Sequence, residues 1–155
     1  MTQPLTTTLN KIRAYHPCSD GWAKLLTQLG KTKSDDEPLT FLTILDANGL
    51  ADTIWCMRSA PEYDRQWRLF AVWCARQVQH LMSDPRSIAA LDVAERYANG
   101  LATDDDLSTA HSAAYAAYAA SAAYAARCAA DSARSAYAAA RENQIIHLTN
   151  ILQGA

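Results

Sequence analysis

Five residues on one stretch of chain are the first candidates for chemistry: Asp64, Arg65, Arg68, Arg76 and His80. On a helix turning about 100° per residue, Arg68 and Arg76 are offset from Arg65 by about −60° and +20°. Three guanidinium groups therefore share one side. Such a row is either the solvated or ion-paired edge of an amphipathic helix, or a site for an anion or an acidic protein surface. No paired acid, base or nucleophile accompanies it, so catalysis is not expected.

The other reactive side chains are scattered. Cys18, Cys56, Cys74 and Cys128 form no C-x-x-C pair, and His16, His80, His111 and His147 form no H-E-x-x-H or i, i+4 pair. Neither spacing supports a metal site, and buried free thiols are the plainer expectation. The phosphate loop, the G-x-G-x-x-G turn and the G-x-S-x-G elbow are all missing from a chain with five glycines, so no cofactor is expected. A formal net charge of −2 over 155 residues argues against nucleic acid as a partner. The opening MTQPLTTT lacks a basic region followed by an apolar core, and charged residues interrupt every long apolar run. Neither a secretory signal nor a membrane span is expected, and thiols without a disulfide pattern fit the cytoplasm.

The elements that would carry these residues read as helices. Leu9–Tyr15 is predicted to be short and to end before Pro17. Ser19 is placed as an N-cap ahead of Trp22, Leu25, Leu26 and Leu29, with Gly30 as the stop. Pro38 suits the first turn of a helix whose apolar face is Phe41, Leu42 and Leu45, and Asn48-Gly49 ends it. Leu50–Arg58 is a further short helix. Tyr63–Met82 has the strongest periodicity, and Trp67, Phe70, Trp73 and Cys74 are predicted to be buried at the centre of the fold. Asp84-Pro85 opens the next helix and Gly100 closes it. Thr103 with Asp106 three residues on reads as a capping box. Nothing alternates with period two for long enough to make a strand, so no sheet is expected.

Eighteen of the thirty-one residues from Ala110 to Ala140 are alanine, the strongest helix former. A continuous helix from Thr103 to Arg141 would be roughly 60 Å long, so a bend, a break or a protruding arm is expected. Tyr115, Tyr118 and Tyr137 lie within roughly 100° of one another, on the side carrying Leu107 and His111, and that side is assigned to the core. Tyr124 then points away, beside Arg127, as a candidate protein-binding pair. The expected architecture is an all-α, multi-helix bundle with a long Ala-rich C-terminal helix or helical hairpin. It forms one domain over 1–155, with core helices in 18–100 and the Ala-rich region in 103–152.

Three segments carry a resemblance: LTILDANGL over 42–50, RLFAVWCAR over 68–76, and LDVAER over 91–96 followed by Tyr97, Gly100 and Leu101. With the Ala-rich tail they resemble a family of bacterial and phage helical proteins similar to the immunity-protein domain of bacterial toxin systems. The tail here is richer in tyrosine than that pattern. The resemblance covers roughly residues 42–141 and implies binding and neutralising a protein, with no catalytic residues. The functional expectation is a non-enzymatic protein-binding module that acts by steric occlusion. Candidate contact residues are Tyr124, Arg127, Arg65, Arg68 and Arg76. The alternative is a structural protein that self-associates through its Ala-rich helix.

Overall fold

The computed structural model describes residues 3–117 and 135–153, without the side chains of 135–140. The class is all-α. The chain divides into two compact units, one made of Met1–Asp64 with Ile145–Ala155, the other of Arg65–Gln144.

In the first unit, β1 (Thr6–Thr7) leads into α1 (Leu9–Arg13), followed by α2 (Ser19–Gln28), β2 (Leu39–Thr40), α3 (Phe41–Asn48) and α4 (Leu50–Cys56). Single-turn 3-10 segments follow at Met57–Ser59 and Pro61–Tyr63. The core gathers Leu9, Ile12, Phe41 and Ile44, all essentially inaccessible, with Leu148 and Leu152 from the end of the chain. Helix α3 packs against both α2 and α4.

The expectation of no sheet is corrected. Thr6 pairs with Thr40 and Thr7 with Leu39 in an antiparallel ladder, extended where Phe41 N–H donates to the Leu5 carbonyl at 3.1 Å. Two-residue strands show no alternation to read. Pro38 is displaced from its expected role for the same reason. The chain stays extended through Leu39, and the helix begins at Phe41, where Thr40 Oγ1 accepts from Thr43 N–H at 3.1 Å. Thr7 Oγ1 meets Ser59 Oγ at 2.8 Å, and Ser59 in turn donates to the Cys56 carbonyl at 2.7 Å. That buried hydroxyl chain ties β1 to the end of α4.

The second unit contains α5 (Asp64–Gln77, of which all but Asp64 belongs here), α6 (Pro85–Ala98), a helix α7 over 104–117 and the first part of α8 (Ser135–Leu152). Two expected helix starts hold: Asp84 caps α6, and Thr103 and Asp106 bond each other's backbone N–H at the head of α7. Ser19, expected as an N-cap, is instead the first residue of α2, after Cys18, which makes no side-chain cap bond.

Two expectations about packing are corrected. Phe70 is buried, but Trp67, Trp73 and Cys74 are only partly so, and Val72 is the other buried residue of α5. Val72 lies within about 20° of Arg65 around the helix, whereas Phe70 is about 140° away. The arginine side packs on α6, so burial is divided between two sides of α5 and none is fully enclosed. Tyr115, assigned to the core, is 68% exposed. The inward residues of α7 are Leu107, Ala110, Ala113, Ala114 and Ala117. Leu107 is thus at the edge of that face, and Tyr115 falls about 135° from its centre. Tyr118, Tyr124, Arg127 and the continuity of the Ala-rich helix lie outside the described residues, as do the side chain of Tyr137 and Cys128.

Candidate functional site

Among the described residues, a half-enclosed pocket of about 320 Å³ opens in the first unit between α2 and α4. Helical periodicity builds both walls. Cys18, Gly21, Trp22 and Leu25 stand at i, i+3, i+4 and i+7 on one side. Asn48, Ala51, Asp52, Trp55 and Cys56 stand at i, i+3, i+4, i+7 and i+8 on the other. Ile12 and Pro17 complete the lining. The second wall crosses a helix junction. Gly49 ends α3 and begins α4 with φ 88°, a backbone state that side-chain-bearing residues rarely adopt. This junction lets Asn48 on one helix lean over Asp52 on the next.

Asn48 fixes the polar end of the pocket. Its Nδ2 donates at 2.8 Å to the Gly21 carbonyl and at 2.8 Å to Asp52 Oδ2, joining α2, α3 and α4. Both partners are acceptors, so the amide orientation is set. Its Oδ1 is buried with no hydrogen-bond partner among the described residues. An orphaned buried carbonyl costs about 1–3 kcal/mol, a cost borne while the same side chain aims a carboxylate. Gly21 leaves room for that carboxylate. A Cβ there would come 2.9 Å from Asp52 Oδ2 and 3.1 Å from Cys18 Sγ.

The two thiols differ sharply. Cys18 is exposed at the rim. Cys56 is buried at the base, and desolvation pushes its pKa up to about 12. The Asp52 carboxylate adds to that rise and outweighs the opposing effect of Arg58. The pocket sets no imidazole beside either thiol. Arg58 stacks over the Trp55 ring at 4.4 Å and donates to the Trp55 carbonyl at 2.8 Å, which fixes that indole as a wall.

The sequence-predicted arginines lie in the second unit, and the structure does bring them together, along α6. Arg65 donates to Asn99 Oδ1 at 2.7 Å, Arg68 lies 4.9 Å from the centre of the Tyr97 ring, and Arg76 pairs with Asp92 at 2.8 Å and Glu95 at 2.6 Å. Only Arg76 meets acidic groups there; Arg65 meets an amide and Arg68 an aromatic ring. His80 sits exposed on the 3-10 turn Gln79–Leu81. No group of three or more metal-capable side chains forms among the described residues. No described helix is long and apolar enough to cross a membrane.

Sequence reasoning missed the pocket because its signal is split. Trp22 and Leu25 read as the apolar face of one helix, Asn48-Gly49 as a stop, and Asp52 drew no reading of its own. The shared i, i+3, i+4, i+7 spacing of the two walls was the available clue. The chain matches no family model, no curated protein and no solved structure.

Proposed function

We propose that this chain is a non-enzymatic protein-binding module and that the α2–α4 pocket holds its partner. The observation that carries the reading is the pocket's composition. Two indoles and one positioned carboxylate surround a half-open space, with one thiol held protonated and neither thiol paired with a base. Tryptophan-lined, partly desolvated pockets are where the energy of interfaces concentrates. Helical rigidity suits steric occlusion of a partner. The resemblance to immunity proteins of toxin systems makes a toxin, or a host defence protein in a phage setting, the natural target, encountered in the cytoplasm.

A second reading, self-association through the Ala-rich helix, is favoured by one feature: Tyr115 stands 68% exposed on α7. Sedimentation of the purified chain together with co-expression against the toxin encoded nearest its gene separates the two. A monomer that restores growth supports the binding module. A stable dimer that gives no protection supports self-association.

A further inference from the structure

We infer that the α2–α4 pocket is a receptor for the ammonium group of a lysine side chain presented by the protein partner. This rests on the protein-binding reading above and specifies its chemistry. The lining carries one carboxylate, Asp52, and no cationic side chain. A charge held in a half-enclosed, largely apolar space calls for an opposite charge from the ligand. The walls agree, since indole faces attract cations and Trp22 and Trp55 both line the space. Arg58 already covers one face of Trp55 at 4.4 Å, so an entering ammonium meets that indole only at its other face or its edge.

Lysine fits better than arginine. Asp52 Oδ2 already accepts from Asn48 at 2.8 Å. A guanidinium fork is best satisfied by two unencumbered carboxylate oxygens, whereas an ammonium needs one. The four-carbon lysine stem is apolar and matches walls that include Ile12 and Leu25.

The test is a titration of the full chain with Nα-acetyl-lysine-N′-methylamide, read at the indole Nε1–H resonances. Trp22 and Trp55 report the pocket, and Trp67 and Trp73 serve as internal controls. Saturable shifts confined to the first pair are expected, with a dissociation constant on the order of 1 mM for so small a probe. The norleucine analogue, which lacks only the ammonium, should bind about tenfold more weakly, and the arginine analogue more weakly than lysine. Asp52→Asn should remove the preference for lysine over norleucine. Should that variant not fold, the comparison of lysine with norleucine on the native chain decides alone. Equal binding of norleucine overturns the charge claim, and tighter arginine binding overturns the ammonium claim. Tighter binding of n-butylammonium than of the lysine amide overturns a protein side chain as the source. No saturable shift overturns the site. None of these results bears on whether the chain protects against a toxin, so the broader reading fails or stands separately.

Discussion

At the scale of single residues, the two pocket cysteines give the cleanest contrast. Cys18 is exposed, while Cys56 keeps its proton up to a pKa of about 12. Alkylation at mildly alkaline pH, mapped by peptide mass, should modify Cys18 long before Cys56. Comparable rates would mean that the pocket base is open to solvent. The same shift has a pH consequence. An unfolded chain ionises this thiol near 9.0, and the folded chain does so only near 12. The stabilisation is complete below the lower value and is lost as pH rises between the two. The melting temperature should fall across that window, and less steeply in Cys56→Ala. Gly21→Ala sets two effects against each other. Helix propensity favours alanine by about 1 kcal/mol, while the new Cβ displaces the Asp52 carboxylate and weakens its bond to Asn48. Stability should change by less than about 1 kcal/mol, while lysine-amide binding drops. A marked rise in melting temperature with binding intact would show that the close contact is relieved without moving Asp52. Sequence alone shows the residue types at these positions. It does not show that Asn48 spends both donors on Gly21 and Asp52, because that depends on how three helices meet.

At the scale of elements, helix ends were legible and helix partners were not. Thr103 with Asp106, Asp84 before Pro85, and Gly30, Gly49 and Gly100 all mark boundaries close to where the structure has them, since capping is decided within a few residues. The centre of the core was placed on α5 because its periodicity is strongest. The residues most fully enclosed instead include Phe41 and Ile44 on α3. Periodicity shows that a helix has apolar sides, and it leaves open how many neighbours cover them. Phe41→Ala should therefore cost about 3–5 kcal/mol, measured by urea unfolding, and Trp73→Ala, from a half-buried site, less. The reverse order would return α5 to the centre. The arginine row is a case in which the spacing showed a shared side but not what lay across it. Arg76 and both of its carboxylate partners are partly exposed, so Arg76→Ala should lower stability by about 1 kcal/mol or less, an effect that shrinks in high salt.

At the scale of the whole molecule, the chain returns to its beginning. Residues 145–155 belong with Met1–Asp64, and Leu148 and Leu152 are wholly buried. No local pattern announces such a return, since it depends on contacts more than a hundred positions apart. Leu148→Ala should destabilise the first unit by about 2–5 kcal/mol and with it the pocket that unit contains. The all-α class was legible from composition and periodicity, and circular dichroism should show helix well above the roughly one-third typical of globular proteins. The central claim, a lysine-receiving pocket between α2 and α4, is tested most directly by intermolecular NOEs between Nα-acetyl-lysine-N′-methylamide and the full chain. Cross-peaks from the lysine ε-methylene to the rings of Trp22 and Trp55, absent at Trp67 and Trp73 and lost in Asp52→Asn, are the expected result. Cross-peaks spread over all four tryptophans, confined to Trp67 and Trp73, or unchanged in Asp52→Asn would contradict it.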